Sequence, residues 1–314
     1  MKKSYGIGRN SLYLEVFLMA MPPEQKLFYN IAMVGGYYGG YASVRSLVLG
    51  SAQTGNLIGA VEMLLKANWS GLFIRVGASV LYAIGVWLTM VIRNHRPQDL
   101  KVCSVLLSFL GCCAFWFMPT KMDLVLALYP IFLCMSFQWN SFPGACGYVS
   151  SSVFSTNNFR QVVLGLTDSR YHPEGDGKRK ARFFAGTLAF YHTGVAISVL
   201  GIRFFGLRST WLCMFLLLPA LYQALQERKA ILEAAAMKEQ AAQAASEALE
   251  AAENAPDQAV AAADMAIATA EEAMAEAAEA ALDEIGCPYE AEVNLLLTMN
   301  EQIREMNREF RNID

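Results

Sequence analysis

Apolar residues gather into six long stretches, at residues 27–49, 71–92, 100–118, 122–142, 183–202 and 207–225, with short polar breaks between them. A helix needs about 20 apolar residues to cross a hydrocarbon layer about 30 Å thick, and each stretch comes close to that length. Inside lipid every backbone N–H and C=O must find its partner within the chain, so stretches of this kind form helices. The pattern therefore predicts an all-α, polytopic helical membrane protein with six spans. The third and fourth stretches meet through Pro119-Thr120-Lys121 and the fifth and sixth through Arg203-Phe204-Phe205-Gly206, which predicts two tight helical hairpins. Ahead of the first span, residues 1–26 read as an interfacial segment: an apolar run follows Lys2, Lys3 and Arg9 and stops at Pro22-Pro23 with no small-residue cleavage site.

Two connections are longer than hairpins, and they share a plan. After the first span, Ala52-Gln53-Thr54-Gly55-Asn56 runs into an apolar helix too short to cross, and after the fourth, Ser155-Thr156-Asn157-Asn158 does the same. Two further spans follow each Thr-x-Asn turn. The spacing predicts a 3+3 repeat, about 27–118 and 122–225. Three is odd, so the second half is inverted in the membrane, as in many transporters.

Composition agrees with the pattern and adds an orientation. The 314-residue chain is 55% hydrophobic and only 17% charged, against about 25% charged for a soluble domain. Residues 1–225 hold 19 Lys/Arg and 8 Asp/Glu, whereas residues 226–314 hold 6 and 20. A basic membrane body is thus joined to an acidic tail. With the N-terminus inside, the inner segments carry 13 Lys/Arg and the outer ends 5, so the positive-inside rule places both termini in the cytoplasm. Residues 226–282 are rich in Ala, Glu and Gln and predict an acidic helical tail that Pro256 interrupts. At residues 283–314, Leu296, Met299, Ile303, Met306, Phe310 and Ile313 form a heptad-like stripe, for which self-association into a homo-oligomer is the simplest expectation.

Candidate chemistry is sparse. There is no Gly-rich phosphate loop, nucleophile elbow or His-Glu metal motif, so an enzyme, a metal and a cofactor are not expected, and nothing points to nucleic acid. The seven cysteines sit mostly in apolar runs and read as reduced packing residues. His192, in the fifth span, reads as bonded to a neighbouring helix or as a proton relay. What remains are polar groups at membrane depth, which must face the bundle interior or a cavity. Arg45 either snorkels to the interface or neutralises an anion. Gln138 and Asn140 flank Trp139 late in the fourth span, and Gln53, Thr54, Asn56, Thr156 and Asn158 sit at the two turns. Amides and hydroxyls at broken helices are how transporters build a neutral polar site, while the same residues also serve as helix caps. Gly35, Gly36, Gly39 and Gly40, interleaved with Tyr37, Tyr38 and Tyr41, predict close helix packing, with the tyrosine hydroxyls lining a cavity as the other reading.

Val34-Gly35-Gly36-Tyr37-Tyr38-Gly39-Gly40-Tyr41, closing on Ala52-Gln53-Thr54-Gly55-Asn56, resembles the signature of the YoaK-like membrane proteins. Phe137-Gln138-Trp139-Asn140 and the turn at Thr156-Asn157-Asn158 are similar to the corresponding second-half segments of that family. The resemblance covers about residues 27–225 and leaves the tail outside. It implies six spans and a bacterial cytoplasmic-membrane location, and it implies little about activity. Gly39 stands where the family commonly has Asp, and Asn157 where it usually has Gly. The expectation is a small-solute transporter in the lipid bilayer, with a small polar solute held near the Thr-x-Asn turns. The alternative is a membrane-anchored scaffold that recruits partners through its acidic tail.

Overall fold

A computed structural model describes residues 21–46, 53–119 and 121–253, with isolated positions between 265 and 276. The chain divides into two units, Met1–Arg228 and Lys229–Asp314. Eight α-helices are described: α1 Pro23–Ser46, α2 Gln53–Leu65, α3 Trp69–His95, α4 Leu100–Phe117, α5 Tyr129–Ser141, α6 Thr156–Tyr171, α7 Gly177–Phe205 and α8 Trp211–Glu253. One antiparallel hairpin, β1 Gly144–Ala145 with β2 Tyr148–Val149, lies between α5 and α6. The predicted break at Pro256 and the heptad stripe fall outside the described residues, as does the interfacial segment up to residue 20.

This is an all-α bundle in which, among the described residues, three helical segments are long and apolar enough to cross a membrane: Trp69–His95, Pro97–Phe117 and Gly177–Arg208. Their outer faces suit lipid. On α3, Phe73 is 70% and Trp87 62% exposed, a face that water would penalise and hydrocarbon accepts. α1 and α5 are the opposite case. Tyr37, Tyr38 and Tyr41 of α1 and Phe132 and Gln138 of α5 are buried. Protein surrounds these two helices, so their composition is freed from the apolar requirement that lipid imposes.

Both short helices that the Thr-x-Asn turns predict are present, α2 with 13 residues and α6 with 16. The predicted tight hairpin at Pro119 is not. α4 ends at Phe117 and α5 starts only at Tyr129, after a 3₁₀ turn at Leu126–Leu128. Asp123 explains the difference, because its Oδ1 accepts from the Val125 and Leu126 N–H groups and starts that turn. Pro130 then fits the first turn of α5, where its missing N–H costs nothing. The fourth predicted span thus contains a helix of only 13 residues. By contrast, α7 and α8 do meet in a tight connection through Gly206, whose φ of 69° suits glycine.

α1 lies along α7 and also touches α5, while α3 packs on α5, α2 on α3, α6 on α7 and α4 on α5. The α1–α7 crossing is a backbone contact. A methyl group at Gly36 would overlap the Tyr191 carbonyl, and one at Gly194 the Met33 carbonyl. The α3–α5 crossing is built from matching pieces. Tyr29 of α1 donates its hydroxyl to Phe183 O of α7 (3.0 Å) over Gly186, and Tyr129 of α5 donates to Ile74 O of α3 (2.7 Å) over Gly77. At the start of α4, Lys101 pairs with Glu227 at 2.5 Å and Asp99 with Arg228 at 2.5 Å, which fastens α8 there.

Candidate functional site

The polar residues singled out above fall into separate groups. At the first turn Asn56, buried, donates Nδ2 to Arg75 O and Ser79 Oγ, both at 2.9 Å, with Gln53 Oε1 farther off at 3.4 Å. Ser79 Oγ also donates to Gln53 Oε1 at 3.1 Å. The amides therefore pin α2 to α3 rather than cap α2. Among the described residues, Asn56 Oδ1 and Gln53 Nε2 are buried and have no hydrogen-bond partner. Thr54 is exposed.

The second turn is more complete. Asn158 Oδ1 accepts from Ser150 Oγ (2.9 Å) and Ser151 N (3.4 Å), and its Nδ2 donates to Ser151 O (2.7 Å) and Phe154 O (3.0 Å). Gln138 joins the same segment from α5, donating Nε2 to Ser152 Oγ (3.1 Å) and to Ile31 O of α1 (3.0 Å). The three serines at 150–152 thus bring Gln138 and Asn158 into one network, while Thr156 is exposed. Gln138 Oε1 is buried and lacks a hydrogen bond. No hydrogen bond among the described residues joins this network to Gln53 and Asn56. Asn140 stands apart too: its Nδ2 bonds Ser136 O on its own helix at 2.8 Å, and its carbonyl accepts from Arg93 at 2.5 Å.

Arg45 has partners within the protein. It is 9% exposed and donates to Tyr41 Oη (3.3 Å) and to Pro119 O (3.1 Å), just past the end of α4. A cation there complements the negative end of the helix dipole. The Tyr37, Tyr38 and Tyr41 hydroxyls reach the carbonyls of Ser209, Ser108 and Leu207. They tie α1 to its neighbours, which favours packing over a cavity lining. His192 bonds Leu188 O of its own helix, one turn back, rather than a neighbouring helix. Sequence reading missed Ser79 and the serines at 150–152, whose only signal was their position beside the two turns.

One polar cluster lies outside the spans. The β1–β2 hairpin turns through Cys146 (φ 55°) and Gly147 (φ 77°), the two positive values that a two-residue loop demands. Glu24 Oε1, in the first turn of α1, accepts from the Cys146 N–H at 2.9 Å. Burial, and then the Glu24 carboxylate, push the Cys146 thiol up to about 12. The thiolate is the reactive form, and a free thiol titrates near about 8.5. Cys146 is accordingly expected to alkylate with N-ethylmaleimide at pH 8 roughly a thousandfold more slowly than an unperturbed thiol. Glu24→Gln should speed the reaction, as followed by mass spectrometry of the labelled peptide; equal rates in the two proteins would refute the electrostatic contribution.

Compared with known proteins, residues 27–222 match the profile of a family described as "Protein of unknown function (DUF1275)". Two curated proteins share a short stretch. An endoribonuclease YbeY of Lachnoclostridium phytofermentans is 59% identical over 34 residues, 11% of this chain and 21% of that protein. An endoribonuclease YbeY of Lachnospira eligens is 56% identical over 34 residues, 11% of this chain and 20% of that protein. The chain thus spans about a fifth of the length of these curated relatives. No solved structure matches.

Proposed function

This chain belongs to the DUF1275 family of proteins of unknown function, and we propose that within it the protein acts as a permease for a small, neutral, polar solute. The observation that carries this reading is the pair of matching crossings. Tyr29 and Tyr129 stand 100 residues apart, and their partners Phe183 and Ile74 stand 109 apart, as do Gly186 and Gly77. The same offsets recur further along each crossing. Gly194 abuts Met33 as Gly85 abuts Leu133. Constant offsets within each helix pair support two structural repeats, about 27–118 and 122–225, with α2 and α6 as the equivalent short helices.

On this reading six spans cross the bacterial cytoplasmic membrane, the second half is inverted, and both termini are cytoplasmic. α1 and α5 form the centre, where protein rather than lipid surrounds irregular backbone and makes it tolerable. The Gln53–Asn56 and Gln138–Asn158 networks sit where a short helix joins its half, the places at which transporters break helices around a pathway.

The test is flux. Full-length protein in proteoliposomes should speed reswelling, by stopped-flow light scattering, for at least one of urea, acetamide and glycerol relative to protein-free vesicles. Asn56→Ala, still monodisperse, should slow it, and removal of residues 229–314 should leave it unchanged. If none of the three solutes crosses faster than through bare lipid, the permease reading fails. A cellular phenotype lost with the tail alone would favour the scaffold instead.

A further inference from the structure

Two cavities of about 340 Å³ each occupy matching places in the bundle. Tyr29, Asn30, Met33 and Phe190 line the one beside α8, while Tyr129, Pro130, Leu133 and Leu81 line the one beside α4. The residue pairs repeat the 100- and 109-residue offsets of the helix crossings. The chemistry of the two is not repeated. Where the cavity beside α4 has Pro130, the one beside α8 has Asn30, and Asn30 Nδ2 donates to Gln223 Oε1 of α8 at 2.8 Å.

Among the described residues that is the pair's one hydrogen bond, and it leaves the two amides half used. With the amides as placed, the Asn30 oxygen and the Gln223 NH₂ group have capacity left; with both turned over, the Asn30 NH₂ and the Gln223 oxygen do. Either way the pair keeps one donor group and one acceptor in reserve. Apart from Lys26, the remaining wall is mostly apolar and partly flat: the Tyr29 and Phe190 rings lie 4.9 Å apart, centroid to centroid, next to Met33. The volume falls at the small end of ligand pockets, which run about 300–1,000 Å³.

We propose that the cavity beside α8 binds a small neutral molecule with an amide-type edge, a donor and an acceptor adjacent, on a flat apolar body. Primary carboxamides, lactams and aryl ureas have this form. The cavity beside α4 offers the same space without the edge and does not select for it. The proposal rests on the permease reading for its role as the solute site, and binding is measured apart from flux.

Benzamide, benzoate and toluene are the probes, with the full chain in lipid nanodiscs and thermal shift followed by calorimetry as the readout. Benzamide should raise the melting temperature with concentration, and benzoate and toluene should do so at least tenfold more weakly. Gln223→Met, close in shape but without the amide, should weaken benzamide at least tenfold, whereas Leu81→Phe in the opposite cavity should leave it unchanged. Toluene matching benzamide would reduce the site to an apolar void and overturn the proposal. Benzoate binding best would move recognition to the charge of Lys26, which also lines the cavity, and overturn it as well. No shift with any probe has the same consequence. Benzamide binding without benzamide flux upholds the cavity and counts against the permease reading alone; flux of other solutes without benzamide binding overturns the cavity alone.

Discussion

Gly36→Leu is expected to yield no folded membrane domain, and Gly36→Ala to destabilise it by about 3 kcal/mol or more, the upper end of overpacking costs. The reason is what a side chain would meet. At Gly36 the obstacle is the Tyr191 main chain, not a flexible side chain that could turn away. The contact is mutual, since Gly194 of α7 lies equally close to the Met33 carbonyl. Nor can α1 slide along α7 to relieve it. Gly35 abuts the Ser152 carbonyl and Gly40 lies 3.0 Å, by its would-be Cβ, from the Val195 carbonyl. The two helices would have to part, and with them the buried hydroxyl contacts of Tyr29, Tyr37 and Tyr41. Small residues are what allow backbones to approach this closely inside a membrane. Gly55→Ala is the control, because nothing lies within 4 Å of its would-be Cβ. Size-exclusion profiles and thermal melts in detergent decide the matter. A Gly36→Ala protein that melts within a degree or two of wild type would refute the backbone contact.

The second large effect is expected at Asn158. Asn158→Ala removes one side chain and strands four partners: Ser150 Oγ, the Ser151 N–H, and the Ser151 and Phe154 carbonyls. Ser150 and Ser151 are buried with it, so water does not readily replace the amide. Each buried polar group left unpaired costs about 1–3 kcal/mol. Allowing for relaxation, a loss of about 3–4 kcal/mol is expected. Asn158→Asp should be no better, since it loses both N–H donors and places a carboxylate at a buried site. Asn56→Ala should cost only about 1–2 kcal/mol. Its Oδ1 has no hydrogen bond to lose among the described residues, and the Ser79 hydroxyl still has an acceptor, either Gln53 Oε1 or Arg75 O. Parallel unfolding titrations in mixed micelles test the order. An Asn56→Ala loss equal to or larger than that of Asn158→Ala would contradict the asymmetry between the two turns.

Much of the architecture could be read from patterning because lipid imposes a one-dimensional rule. α3, α4 and α7 face hydrocarbon, so their residues had to be apolar wherever they meet lipid, and their positions are plain along the chain. The two Thr-x-Asn turns were equally plain, since a polar cluster followed by an apolar run too short to cross leaves few alternatives to a short helix. α5 was misjudged in length. Apolar residues continue on both sides of it, and the interruption comes from Asp123 and Pro130, whose effects are local hydrogen bonding and backbone geometry rather than hydropathy.

The site residues were legible as a set of unusual polar groups, not as a set of partnerships. Hydropathy marks Gln138, Asn56 and Asn158 as too polar to face lipid, and it carries no information on which oxygen each amide meets. Asn30 and Gln223 show the limit most clearly. Each is a lone amide in an apolar run, and they are brought to 2.8 Å across 193 residues of chain by the packing of α1 and α8.

Chain patterning, then, established an all-α membrane body with a short helix after each of the two Thr-x-Asn turns, because burial in lipid acts on each segment separately. Tertiary structure decided that α1 and α7 touch through bare backbone, that Arg45 ends on Pro119 O, and that the two amide turns form separate networks. It also decided that Asn30 and Gln223 meet at one of the two cavities, where the other has Pro130. These depend on where helices cross, and crossings are set by close packing and by the pairing of buried polar atoms between segments far apart in the chain.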